Sequence, residues 1–250
     1  MSTSARLVDG QWSVTGQKIW TSLAQFADWC FVVARTEPGT RRHQGLSYLL
    51  VPMRQPGIEV RPILQLTGMS EFNEVFFDDA RTEVSLVVGE PGDGWRIAMG
   101  TLGFERGVAT LGQQVGFARE IAALIALARR NGAVEDPLIR EQLTRAWMGQ
   151  QVMRAHAART LESAKTGKAA PGGEASVAKL LWATWHRNLG ELAMRVRGAS
   201  SILADGPDGL DDWQRLFLFS RADTIYGGSN EVQRNIIAER TLGLPREARS

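Results

Sequence analysis

Val88-Gly89-Glu90-Pro91-Gly92-Asp93-Gly94-Trp95 is the stretch at which the sequence changes period. Upstream, apolar residues come in short runs with β-branched or aromatic content: Trp12-Ser13-Val14-Thr15, Phe31-Val32-Val33, Leu46 to Val51, Ile58-Glu59-Val60 and Val75-Phe76-Phe77. Gly, Pro and Asp-Asp punctuation separates them, as in an antiparallel sheet or small barrel. Trp12 and Trp29 read as core tryptophans of these strands, and Cys30, followed by Phe31-Val32-Val33, as a buried thiol. Downstream, Trp95, Ala98, Leu102, Ala109 and Gly112 recur at helical spacing, and Val115, Ala118, Ile121, Ala122 and Ile125 continue along the same segment. The spacing predicts a long helix from near Asp93. Further helices are predicted over Pro137 to Lys165, Glu174 to Arg197, Trp213 to Asp223 and Asn230 to Leu242, the last with Val232, Ile236 and Leu242 inward. The expected fold class is therefore α+β: an antiparallel, barrel-like β domain over 1–90, then an up-down helical bundle over 91–250.

Composition narrows the function classes. The chain has 250 residues, with Lys+Arg 29 against Asp+Glu 27, a balance too even for nucleic-acid affinity carried by a basic surface. No apolar run approaches the roughly 20 residues that span a bilayer. The single cysteine rules out an internal disulfide, and together these features predict a soluble cytoplasmic protein without membrane insertion. His43, His156 and His186 sit in unrelated settings, so the sequence proposes neither a metal cluster nor a Ser/His/Asp order.

Three segments carry chemistry. In Gly16-Gln17-Lys18-Ile19-Trp20-Thr21-Ser22 a turn precedes a tryptophan and two hydroxyls; an indole can stack on a planar heterocycle, and a neighbouring hydroxyl or N–H can bond its polar edge. In Phe104-Glu105-Arg106, helical geometry at 100° per residue puts Glu105 within about 60° of Ala98, Leu102, Ala109, Gly112 and Gly116, on the small and apolar stripe. A carboxylate there is either paired or raised in pKa by desolvation, and either environment suits a general base; a glutamate bonded to another helix has the same signature. In Tyr226-Gly227-Gly228-Ser229-Asn230-Glu231, a Gly-Gly turn leads through Ser and Asn caps into a helix, as an oxyanion-binding corner or a plain helical corner would.

Together, in order and spacing over essentially the whole chain, these segments resemble the acyl-CoA dehydrogenase family of flavoproteins. The resemblance implies FAD as cofactor. Gly16 to Ser22 is similar to the family's Gly-x-Lys-x-Trp-x-Thr/Ser segment, which implies that Trp20, Thr21 and Ser22 contact the flavin. Arg195-Val196-Arg197-Gly198-Ala199 occupies the place of a Gln-x-x-Gly-Gly turn that touches the ADP part of FAD in a neighbouring subunit, so Arg195, Gly198 and Ala199 are implied there. Ser229, Asn230 and Glu231 lie where the family has Thr-Ser-Gln, also a dinucleotide contact.

Departures from the family pattern sharpen the reading. Many members place a catalytic glutamate directly after the tyrosine of the last motif, where this chain has Gly227; one branch carries its base on the first C-terminal helix, just before an arginine, and Glu105-Arg106 matches that pair. The resemblance thus implies Glu105 as α-proton base, Arg106 and Gly228 beside an acyl-CoA substrate, an electron-transfer flavoprotein as electron acceptor, and a homo- or hetero-oligomer. His43 to Ser47 and the Gly227 to Arg234 stretch resemble actinobacterial members acting on bulky steroid side-chain or polyketide-like thioesters. Family chains also carry a helical domain and a Glu-Pro-Gly-x-Gly-Ser/Thr-Asp segment ahead of the point where this sequence starts, so one pocket wall and a cover for apolar surface are expected to come from elsewhere. The family's Arg-Phe-Gly motif is not clear in Ala128 to Gly132. Two other readings stay open: a non-catalytic subunit serving a complete partner chain, and a related flavin-dependent monooxygenase, which needs no α-proton base.

Overall fold

The computed structural model describes residues 1–165, 173–204 and 209–246, without the side chains of 104–111 and 164. It divides into two compact units, Met1–Leu102 and Gly103–Ser250. The first is a six-stranded sheet of β1 (Ser4–Val8), β2 (Gln11–Ser22), β3 (Trp29–Arg35), β4 (Leu46–Pro52), β5 (Ile58–Ile63) and β6 (Phe72–Glu83). The strand order is β4-β3-β1-β2-β6-β5. Neighbours pair antiparallel except β1 and β3, which meet in parallel at Ser4 and Arg35. The sheet is open, with β4 and β5 as edges, so the barrel-like expectation narrows to a mixed, unclosed sheet. The β1 strand, which the sequence reading passed over, is the element that makes it mixed.

Alternation decides the core. Val14, Val32, Ala34, Leu49, Val51, Val75 and Phe77 point to one side and are buried, with Trp12 beside them. Trp29, expected in this core, is 55% exposed at the start of β3. Its position alternates with buried Val32 and Ala34 in the wrong phase, which propensity alone could not reveal. Cys30 is half-buried, and burial pushes its thiol up to about 11. Gly16 is not a turn: β2 runs through it, and a Cβ there would lie 2.6 Å from the Thr3 Cα, so only glycine lets the N-terminal segment cross.

Beyond β6 the chain turns back along β4. Leu49 bridges Val87, Leu46 bridges Asp93, and the Val88 N–H donates to the Tyr48 carbonyl at 2.9 Å. Gly94, which opens α1 (Gly94–Arg130), sits against the β4 backbone, where a Cβ would lie 2.5 Å from the Ser47 carbonyl carbon. The Gly92-Asp93-Gly94 spacing is thus a packing requirement of the helix start.

The second unit holds the remainder of α1 with α2 (Pro137–Lys165), α3 (Gly173–Arg197), α4 (Asp212–Asp223) and α5 (Asn230–Ile236), which continues as a π-helical turn over Ile237–Thr241. A short 3-10 turn, Ala133–Glu135, reverses the chain between α1 and α2. The Asn131 amide donates to the Val196 carbonyl at 2.8 Å, which brings the ends of α1 and α3 together as an up-down bundle requires. Ile121, Leu124 and Ala128 of α1 pack with Leu143 of α2 and Leu189, Leu192 and Val196 of α3. Each fully buried leucine contributes roughly 1.5–3 kcal/mol.

Two stripes differ from expectation. Among the described residues of α1 after Gly112, Phe117, Ile121, Leu124 and Ala128 are buried, whereas Val115, Ala118 and Ala122 are exposed and line a groove of about 740 Å³ opposite Trp147 of α2. On α5 the inward residues are polar, Asn230 and Gln233, while Val232 and Leu242 face out. In both cases an apolar stripe exists, but the packed one is set by which neighbour the helix meets.

Candidate functional site

The end of β2 is bulged. Lys18 pairs with Val75 and Thr21 with Asn73, so β2 carries one extra residue between them. The excess falls at Ile19-Trp20, and Trp20 adopts a left-handed φ of 62°. Its indole is 61% exposed and touches Phe72 edge-on, with ring centroids 6.1 Å apart. Thr21 is half-buried and Ser22 exposed. Fully buried Asn73 holds this strand end: its amide donates to the Thr21 carbonyl at 3.0 Å and to the Gln25 side-chain oxygen at 2.6 Å. The Asn73 carbonyl oxygen is buried with no partner among the described residues. An open aromatic face, a hydroxyl and a rigid backing thus share one strand terminus.

The Tyr226–Asn230 turn is built differently. Gly227 and Gly228 take left-handed φ values of 63° and 95°. A Cβ on Gly228 would lie 2.5 Å from the Gln233 Nε2, which donates to both glycine carbonyls at 3.1 Å. Ser229 caps α5 by accepting from the Val232 N–H. Buried Asn230 donates to the Thr184 hydroxyl at 3.3 Å, leaving its own carbonyl oxygen buried and unpartnered among the described residues. Exposed Glu231 is held below the usual carboxylate range by its own backbone N–H, with the Ser229 hydroxyl next in strength.

Beneath this turn lies a cluster that sequence reasoning missed. Asp223, the last residue of α4, is 1% exposed. One carboxylate oxygen accepts from the Tyr226 hydroxyl at 2.7 Å and the other from the His186 Nδ1 at 2.5 Å. The His186 Nε2 reaches Glu120 of α1 at 3.1 Å. Both ring nitrogens face carboxylates, so both carry protons. Burial alone would depress this imidazolium, but its hydrogen bonds to Asp223 and Glu120 and their charges outweigh burial and hold it up at about 9. Lys179, seven residues before His186 on α3, donates to the Asp223 backbone carbonyl and lies over the Trp182 and Tyr226 rings at 4.2 and 4.9 Å. Burial pushes its ammonium down to about 8 against the attraction of Asp223. The signal available in the sequence was Lys179 and His186 two turns apart on one helix face; their partner Asp223 is remote in sequence.

The third predicted group lies elsewhere on α3. Arg195 is exposed in the last turn and lines a shallow groove of about 340 Å³ with Arg145 of α2 and Glu191. Gly198, with φ of 59°, ends the helix, and exposed Ala199 follows. Thr184, which meets Asn230, and Arg195 are eleven residues apart, roughly 16 Å along the helix axis. The structure therefore brings Gly228, Ser229, Asn230 and Glu231 together on one turn, groups Arg195, Gly198 and Ala199 at another place, and keeps these two sets apart within the chain. Glu105 and Arg106 belong to the continuous backbone of α1, but their side chains lie outside the described residues. Gly112 and Gly116, which helical spacing puts on the Glu105 side, have open space where a Cβ would stand.

Comparison with known proteins gives a consistent picture. The family model described as acyl-CoA dehydrogenase, C-terminal domain, matches residues 92–242, and the middle-domain model matches residues 1–80. Acyl-CoA dehydrogenase IpdE1 of Mycobacterium tuberculosis is 63% identical over 250 residues, covering 100% of this chain and 64% of that protein. Among solved structures, the Tcur3481-Tcur3483 steroid ACAD superposes with a TM-score of 0.88 at 28% identity, covering 99% of this chain and 64% of that one. The ChsE4-ChsE5 complex from Mycobacterium tuberculosis gives 0.79 at 27% identity, covering 99% of this chain and 65% of that one. The chain thus spans less than two thirds of the length of each of these relatives.

Proposed function

This chain belongs to the acyl-CoA dehydrogenase family, and on that premise we propose that it serves FAD-dependent α,β-dehydrogenation of an acyl-CoA thioester, with Glu105 as the α-proton base. The observation that carries the choice of base is the state of the Tyr226–Asn230 turn. Position 227 is a left-handed glycine whose would-be Cβ already meets the Lys179 Cε at 3.4 Å. The carboxylates nearest the turn are committed: Asp223 is buried under two donors, and Glu231 is engaged with Ser229 and Arg234. The base is therefore assigned to α1, where Glu105 would take the α-proton with Arg106 and Gly228 beside the substrate.

The residues present suit FAD. Trp20 offers an uncovered aromatic face beside Thr21 and Ser22, and the unpartnered oxygens of Asn73 and Asn230 call for a ligand bringing N–H or O–H donors, as ring imide and ribityl hydroxyls do. When bound, FAD supplies the acceptor for the hydride that leaves the β-carbon as the α-proton departs. In this reading residues 1–90 contact flavin, Ser229, Asn230 and Glu231 hold one dinucleotide, and Arg195, Gly198 and Ala199, set apart on α3, serve that of a neighbouring copy or partner. Electrons then pass to an electron-transfer flavoprotein.

The substrate class we infer is a bulky steroid-type thioester, supported by the likeness to the steroid ACAD, and the working form an oligomer, supported by likeness to proteins described as pairs. Among the described residues no helix is long and apolar enough to cross a membrane. The test is a full-chain preparation titrated with FAD, then with a steroid side-chain acyl-CoA under anaerobic conditions. Bleaching of the flavin band that disappears in Glu105→Gln supports the reading. Bleaching that survives this substitution removes Glu105 from it, and flavin uptake only with a co-expressed second chain moves the activity to the assembly.

A further inference from the structure

We propose that the hydrogen-bonded chain His186–Asp223–Tyr226 is a positioning device that fixes the Tyr226–Asn230 turn in its ligand-receiving conformation. The turn needs such a device. It contains two adjacent left-handed glycines, the residue with the largest conformational freedom to lose, and Ile225 and Tyr226 at its start are exposed. Restraints that reach it from outside α5 include the Tyr226 hydroxyl on Asp223, the Tyr226 N–H on the Ala222 carbonyl, the Asn230 N–H on the Thr224 carbonyl and the Asn230 amide on Thr184.

The direction of the bonds separates positioning from core filling. A buried carboxylate kept only to neutralise His186 would use its oxygens inward, and apolar residues would fill the same volume at no cost in stability. Asp223 instead divides its oxygens, one toward His186 in the bundle and one toward Tyr226 in the turn. His186 is in turn fixed by Glu120 on α1 and by the Phe117 ring, 5.0 Å away. The cluster sets the basic groups Lys179 and His186 against the acidic groups Asp223 and Glu120, with Lys179 and Asp223 buried and His186 and Glu120 half-buried. The turn's conformation is thereby referred to α1, α3 and α4 at once. The identity of the ligand rests on the function proposed above; the positioning itself does not.

The experiment is hydrogen exchange of the full chain, followed by mass spectrometry, for wild type, Tyr226→Phe and His186→Gln, with FAD affinity measured in parallel. Tyr226→Phe removes one hydroxyl and keeps the ring that packs on Trp182, Phe219 and Lys179. The expected result is exchange at residues 226–230 faster by about tenfold, with α3 and α4 within about twofold of wild type, and an FAD dissociation constant raised about fivefold. His186→Gln, acting through Asp223, should raise exchange at residues 226–230 beyond the general rise in α3 and α4 that loss of its ion pairs brings. The spectroscopic signature is a doubly protonated His186 by nitrogen NMR at pH 7 in wild type and in Tyr226→Phe. Unchanged exchange in the turn of Tyr226→Phe, or a rise spread evenly over α3 to α5, overturns the proposal. A wild-type chain that takes up no FAD yet shows the local pattern overturns the cofactor assignment and leaves the positioning device standing.

Discussion

The two places that the sequence marks for a cofactor solve one problem by opposite means. The β2 terminus is held by neutral bonds from Asn73 to the Thr21 carbonyl and the Gln25 side chain and presents an aromatic surface to solvent. The Tyr226–Asn230 turn is tied instead to a set of ionisable groups in which Lys179 and Asp223 are buried and His186 and Glu120 half-buried. Shape restrains the first and electrostatics the second. Substitutions at the first should therefore cost binding with little stability, whereas those under the second should cost both.

The harshest way to break this contrast is Asp223→Ala, which leaves His186 and the Tyr226 hydroxyl without their acceptor. Removing one partner of a buried ionic pair costs about 3–5 kcal/mol, and urea unfolding should show a loss of that size. Next in size is the effect of pH. The His186 proton is held to about 9 in the folded chain against 6.5 for the free group, so its contribution is complete below 6.5 and is lost as pH rises toward 9. Unfolding free energy should fall by roughly 2–4 kcal/mol across that window and should lose this limb in His186→Gln. Lys179 acts in the opposite sense: its folded value of about 8 lies below 10.5, so folding gains stability as pH climbs from 8. The limb is therefore read most cleanly between 6.5 and 8.

Gly228→Ala comes third. It combines a φ of 95° with a Cβ 2.5 Å from the buried Gln233 amide, and a loss of about 1–3 kcal/mol is expected. Trp20→Ala is the smallest in stability, about 1 kcal/mol or less, because the indole is largely in solvent and meets the Phe72 ring edge-on. The same variant should weaken FAD binding at least tenfold in a fluorescence titration. A large loss of stability with unchanged flavin affinity would reverse the comparison.

The sequence displayed the helices well, since Pro137, Gly94 and Gly198 punctuate long 3.6-residue patterns, and α2 begins at the proline expected to open it. It displayed faces poorly. The phase of an apolar stripe depends on the neighbour, so Val232 and Leu242 read as inward and stand outward. Trp29 and Gly16 were misplaced for the related reason that strand phase and bulges are set by the pairing partner. Motif spacing singled out Trp20, Gly228 and Asn230 as candidates, whereas His186 and Asp223 lie 37 residues apart and meet only because α3 and α4 pack side by side.

The strip of chain from Val87 to Asp93 has one more effect. By bridging Leu49 and Leu46 it occupies the free side of β4, while the opposite border strand, β5, carries Pro62, which has no N–H to offer, and the Glu59–Arg61 ion pair. Both borders of the sheet are thus closed to strand addition, and this unit is protected from ribbon-like polymerisation.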